Sequence, residues 1–338
     1  MKKYKYSAND ASLMTPFLYR FFLIPLLKIV PYQIPANFIT LFSNSCVVAS
    51  FVIAALGYYR GNFFLHFLIP ILCFTYIVGD CFDGVQARRT GTSSPLGEYF
   101  DHFLDAFVTG LLTGTLLFAL RSKHWFILFF PYQALYVGQI GAFWERLKTG
   151  VISFGKMSTS EGVMAIAMSS FLASCFFMQP LIVNKPIFSI SYFDWILLTC
   201  FFFAGVAGVK AFFVARVFSI KLILHVLFSC TVTLLCIYFG YSILFITLIT
   251  TLYNAFFISP MLSSISTGGD EKYPDVIILL SFLLCYFFGE YSLLISSVQV
   301  AYLALRILIR FAIFFHRNKH YWVWCNKECK EIDLLAGH

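Results

Sequence analysis

The chain has 338 residues, enough for two or three soluble domains, but 60% are hydrophobic, 20% aromatic and only 12% charged, with a mean hydropathy of +0.82. Soluble globules keep about a quarter of their residues charged, so this composition excludes a water-dissolved surface and leaves an all-α, polytopic membrane protein. The formal charge of +8 then reads as basic residues facing an anionic cytoplasmic leaflet rather than as a nucleic-acid surface.

The first 37 residues form an N-terminal cytoplasmic and interfacial segment. Residues 1–10 are polar and carry no cleavable signal, and 18–35 mix Arg20 and Lys28 with apolar residues and Pro25, the pattern of an amphipathic helix lying in the interface. Apolar runs of about twenty residues follow at 38–59, 63–84, 98–120, 125–145, 161–178, 194–217, 219–240, 242–260, 274–289 and 291–313, so about ten transmembrane helices are expected. The first six form a core over 38–217, four more fill 218–313, and 314–338 is a cytoplasmic tail. Only Arg60, Arg121, Lys123 and Lys185 of the 24 basic residues fall on the side opposite the termini, which predicts that both termini are cytoplasmic. Eight of the ten cysteines sit in apolar runs as small hydrophobes, which argues against a disulfide framework. Cys325 and Cys329, with His320 and His338, lack the regular spacing of a zinc site and read as a solvated end.

One segment breaks the apolar background. Asp80 and Asp83 stand three residues apart at the cytoplasmic end of the second run, and Asp101 and Asp105 stand four apart early in the third. Each pair therefore shares one helix face. Ser94-Pro95 supplies a cap and first turn for the third helix. A carboxylate at mid-membrane costs about 2.5–3.5 kcal/mol on insertion scales, and two like charges about 4 Å apart repel by about 4 kcal/mol at an effective dielectric near 20. Cations must offset this. An oxygen-only ligand set selects hard divalent ions, and a pair of them is the arrangement that stabilises attacking and leaving oxygens in phosphoryl transfer. Gly84 and Gly97 beside the acids mark a close approach of a ligand or another helix.

The pattern Asp80-x2-Asp83-Gly84-x2-Ala87-Arg88-x8-Gly97-x3-Asp101-x3-Asp105 resembles, without gap or substitution, the signature of the CDP-alcohol phosphotransferase family. The wording around it, Gln86-Ala87-Arg88-Arg89-Thr90, Ser93-Ser94-Pro95-Leu96-Gly97-Glu98 and Phe100-Asp101-His102, is similar to the choline/ethanolamine phosphotransferase branch. Ala36-Asn37-Phe38-Ile39-Thr40, Trp144-Glu145, Thr149-Gly150 and Glu161-Gly162 resemble further stretches of that branch, so the likeness covers about residues 15–165.

The resemblance implies that Asp80, Asp83, Asp101 and Asp105 hold two Mg²⁺ or Mn²⁺ ions. It further implies that Asn37, Gly84, Ala87 and Gly97 line the cytidine pocket, that Arg88 pairs with the diphosphate, and that Asp105, His102 or Glu161 accepts the proton of the acceptor hydroxyl. The implied substrates are CDP-choline or CDP-ethanolamine and diacylglycerol or a related lipid. The implied setting is an endoplasmic reticulum or Golgi membrane, with a homodimer as the candidate assembly. Two positions depart from the branch: Val85 stands where Lys is frequent, and Phe103 and Leu104 where small residues are frequent, which predicts a different shape near the headgroup or acceptor. The rival readings are a cation transporter that uses the acids as an ion site and a catalytically silent scaffold of the same fold. Acids beside an Arg-rich loop, rather than on broken helices at the midplane, favour an anionic substrate over a bare cation path.

Overall fold

A computed structural model describes residues 8–155, 159–175, 178, 188–217, 219–267 and 269–319. Strand β1 (Ala8–Asp10) leads into α1 (Met14–Leu18), a π-helical turn (Tyr19–Leu23) and α2 (Ile24–Ile29). The helices α3 (Ala36–Arg60), α4 (Leu68–Arg89), α5 (Pro95–Leu120) and α6 (Trp125–Thr149) come next, then strand β2 (Ile152–Phe154) and α7 (Thr159–Leu172). The rest of the chain supplies α8 (Tyr192–Ala215), α9 (Ile220–Tyr238), α10 (Ile243–Thr267), α11 (Ile277–Phe287) and α12 (Ser292–Asn318). Among the described residues the fold is helical apart from β1 and β2, which pair in parallel with Ala8 opposite Ile152 and Asp10 opposite Phe154.

Among the described residues, eight helices are long and apolar enough to cross a membrane. The expected fifth and ninth spans form helices of 14 and 11 residues, shorter than the roughly 20 residues a bilayer core requires. The interfacial helix starts earlier than its sequence pattern predicts, at Met14, and ends at Ile29, where Val30 turns to extended backbone ahead of Pro31. The last helix runs on to Asn318 rather than stopping at 313. His320, Cys325, Cys329 and His338 lie outside the described residues, as does Lys185.

Helices of this kind bury small residues and hydroxyl-bearing aromatics against one another and leave Phe and aliphatic side chains outward. Phe202, Phe203, Phe213, Leu280, Leu293 and Leu308 are exposed on α8, α11 and α12, while Tyr76, Tyr99, Tyr132, Tyr136 and Trp144 are buried. Lipid tails satisfy the first group, and the tyrosine hydroxyls find partners inside: Tyr132 with Thr247, and Tyr136 with the carbonyl of Ala106. Where helices come closest, glycine removes the side chain. A Cβ on Gly141 would lie 2.6 Å from the carbonyl oxygen of Gly208, so α6 and α8 meet backbone to backbone.

Helix α10 packs on α5, α6, α9 and α12, and the space that Cβ atoms on Gly110 and Gly114 would need is taken by Thr251 and Thr247. A helix from beyond residue 217 is thus built into the wall of the core.

Candidate active site

Helix α3 packs against both α4 and α5, and α7 does the same. The two acid-bearing helices are thus held as facing walls by neighbours on either side. Ser94 caps α5 as its sequence predicts, its hydroxyl accepting the Gly97 amide at 3.1 Å. The first turn of α5 is fixed again by Glu98, which pairs with Arg146 in the last turn of α6 at 2.6 Å in a buried contact.

The carboxylates between these walls are oriented by groups on the walls. Thr40 of α3 donates to Asp83 Oδ2 at 2.5 Å, and both residues are buried. Tyr76 of α4 donates across to Asp105 Oδ1 at 2.9 Å. His102 Nδ1 lies 3.4 Å from Asp105 Oδ2 and 3.8 Å from Asp101 Oδ2. Asp80 and Asp83 are near enough to Asp105 for mutual repulsion, and Asp101 is near enough to all three.

Asp80 Oδ1 and Asp101 Oδ1 are buried and accept no hydrogen bond among the described residues. Buried carboxylate oxygens that lack donors and face like charges call for a cation. The donor atoms of Asp101, His102 and Asp105 all lie within 4.8 Å of one another and form a group that can hold a metal ion. The residues therefore fit a divalent ion, with an imidazole added to the carboxylate set that the sequence pattern implies.

The glycines beside the acids differ from the packing glycines. A Cβ on Gly84 would meet only Arg88 Nη1, at 3.5 Å, and one on Gly97 would meet Ser94 Oγ at 3.3 Å and Asn37 Oδ1 at 3.6 Å. No helix backbone among the described residues closes on either, so each leaves open space, the beginning of a cradle, and not a helix contact. Asn37 and Gly97 are brought together there. Gly84, Ala87 and Arg88 follow one another along α4, with Arg88 exposed and its Nη2 donating to the Tyr19 hydroxyl at 3.1 Å.

Glu161 is occupied differently. Its Oε1 accepts the Ser12 hydroxyl at 2.7 Å and the Met14 amide at 2.8 Å, which ties the start of α1 to α7. The departing positions Val85 and Phe103 are taken up by packing. Val85 is buried with Leu23 and Phe82, and Phe103 stacks on Phe311 of α12 with ring centroids 5.2 Å apart. Thr40, Tyr76, Tyr19 and Arg146 were not legible as site residues. The available signals were weak: Tyr76 lies one turn before Asp80, and Thr40 one turn after Asn37.

A family model described as CDP-alcohol phosphatidyltransferase matches residues 33–206, which include both acid pairs and the cradle. The chain belongs to this family. It is 33% identical over 204 residues to choline/ethanolaminephosphotransferase 2 of Arabidopsis thaliana, an overlap of 56% of this chain and 50% of that protein. It is 32% identical over 175 residues to cholinephosphotransferase 1 of Gallus gallus, covering 50% and 51% respectively. Against ethanolaminephosphotransferase 1 of Homo sapiens it is 31% identical over 174 residues, covering 44% and 41%. The chain spans about half the length of the curated relatives it matches.

Proposed function

We propose that the protein is a membrane transferase that moves phosphocholine or phosphoethanolamine from CDP-choline or CDP-ethanolamine to the hydroxyl of a lipid, diacylglycerol in the first instance, releasing CMP. The observation that carries this reading is the pair of facing acid helices, with buried oxygens of Asp80 and Asp101 that lack donors among the described residues, two glycines with open space over them and an exposed arginine. Both substrates suit that position. The nucleotide enters from the cytosol at the ends of α4 and α5, and an almost wholly apolar acceptor arrives laterally through the bilayer.

Asp80, Asp83, Asp101 and Asp105 would hold two Mg²⁺ or Mn²⁺ ions. When bound, such ions supply charge neutralisation for the phosphoryl oxygens and the departing CMP. The rest of the work falls to the chain. Asn37, Gly84, Ala87 and Gly97 admit and orient the cytidine, and the planar, permanently charged Arg88 pairs with the diphosphate. His102, whose Nδ1 lies beside Asp101 and Asp105, would take the acceptor hydroxyl's proton as that oxygen attacks the β-phosphorus and CMP leaves. Asp105 and Glu161 are the alternative acceptors, and the bonds of Glu161 to Ser12 and Met14 give it a second, anchoring role. Termini and site both face the cytosol, in an endoplasmic reticulum or Golgi membrane, and the assembly is a homodimer.

The test is direct. Purified protein with Mg²⁺, diacylglycerol and a panel of CDP-alcohols should release CMP and form one phospholipid in excess over the others. Metal-dependent cation flux in proteoliposomes without CMP release would replace the transferase by a transporter.

A further inference from the structure

The N-terminal segment is fastened to α4 both at its basic end and further along the helix. Gln86 Nε2 donates to the carbonyls of Pro31 and Ile34, at 3.1 and 2.9 Å. Arg89 donates to the carbonyl of Val30 at 3.0 Å and lies over the Tyr32 ring, 3.5 Å from its centroid. Leu23 is buried against Phe82 and Val85, and Phe22 packs edge-on to Phe74 with centroids 4.9 Å apart. These contacts lock Arg89 and leave Arg88 exposed, with the Tyr19 hydroxyl as its hydrogen-bond acceptor among the described residues.

Tyr19 also opens the π-helical turn Tyr19–Leu23 between α1 and α2. This wider turn is rare, and where it interrupts an α-helix it frequently marks a functional position. Across it Leu23 is buried against Phe82 and Val85 of α4, while Phe17, Phe21 and Ile24 stay exposed. One short helix thus presents an apolar face to the bilayer interface and a polar hook to the signature arginine.

We propose that Tyr19 is a positioning residue for nucleotide binding. Its hydroxyl holds the Arg88 guanidinium at the mouth of the cradle, so the docked interfacial helix sets the affinity for the diphosphate. This rests on the transferase reading. A guanidinium has five N–H donors. One spent on Tyr19 leaves the others for a two-pronged contact with phosphate oxygens, and an arginine already held loses less side-chain freedom when the nucleotide binds.

Tyr19→Phe keeps the ring and removes the hydroxyl. With the full chain in lipid nanodiscs and Mg²⁺ present, the Kd for CDP, a nucleoside diphosphate that cannot be turned over, should rise about five- to tenfold. The KM for the CDP-alcohol should rise in step, with kcat within about twofold of wild type. In an Arg88→Ala background the same change should add nothing, because the group that Tyr19 holds is gone. Unchanged CDP affinity in Tyr19→Phe, losses that multiply with Arg88→Ala, or a fall in kcat and melting temperature at constant KM would each overturn the assignment. Wild-type protein that neither binds CDP nor releases CMP would overturn the transferase reading, and this proposal with it.

Discussion

Replacing Thr40 by valine tests whether the carboxylates are held in place by the helix walls or only by their own charges. The hydroxyl is 2.5 Å from Asp83 Oδ2 and both residues are buried, so valine keeps the branched shape that fits α3 to α4 and removes a single donor. A hydrogen bond to a charged group contributes about 1.5–3 kcal/mol. Since 1.36 kcal/mol is a factor of ten, the loss should be about 10- to 100-fold, the range found when a group supporting a metal ligand is removed. The assay is CMP release at saturating CDP-alcohol as Mn²⁺ is titrated. Thr40→Val should shift half-saturation to about 10- to 100-fold higher Mn²⁺, while Thr40→Ser, which restores the hydroxyl, should return close to wild type. A Thr40→Val enzyme with a wild-type metal curve and kcat would refute the reasoning, because Asp83 would then need no help from α3.

The buried carboxylate oxygens of Asp80 and Asp101 predict that exhaustive chelation abolishes both CMP release and Mn²⁺ binding, with Mg²⁺ or Mn²⁺ restoring turnover and Ca²⁺ doing so poorly; full activity after chelation would exclude a metal centre. Asp80→Ala and Asp101→Ala should each keep less than about a tenth of wild-type kcat, a loss of about 1.4 kcal/mol or more, and either one retaining more is not a ligand. His102→Ala should lower kcat about 100-fold or more, whereas Glu161→Gln, whose carboxylate holds Ser12 and Met14, should lower the melting temperature more than kcat; the reverse pattern would make Glu161 the proton acceptor. Burial alone would push the Glu271 carboxyl up, but the Ser219 hydroxyl at 2.5 Å, the nearby backbone, Lys148 and Lys221 together hold it below its ordinary value. Its contribution to stability is therefore complete above the unfolded value of about 4.3 and is lost as pH falls through the lower folded value. Thermal melts between pH 6 and 3 should show an acid limb that Glu271→Gln removes, and an unchanged limb would rule this cluster out as its source.

The sequence by itself determined that the chain lives in a bilayer, that it is helical, and that two acid pairs stand at the facing ends of two of its helices. Those conclusions follow from local quantities: runs of apolar residues against the thickness of a hydrocarbon layer, and acid spacings of three and four that fall on one face of an α-helix. Ser94 as the cap of α5 was legible for the same reason, since a cap is a contact between near neighbours.

What only the tertiary structure decided were the contacts between residues far apart in the chain. Thr40 meets Asp83 across 43 residues, Tyr76 meets Asp105 across 29, and Ser12 meets Glu161 across 149. Span length behaved in the same way: the segments expected as fifth and ninth spans are apolar enough in composition, yet their helices stop at 14 and 11 residues. Val85, Phe103 and Leu104 read from sequence as a change of shape near the headgroup or acceptor because Lys or small residues are frequent there in the branch. On a helix, however, a residue two positions from Asp83 or Asp101 points roughly 200° away from it, since each step turns about 100°. Val85 accordingly packs under the interfacial helix and Phe103 against α12, and which neighbour fills that opposite face is a fact of packing that no local pattern contains.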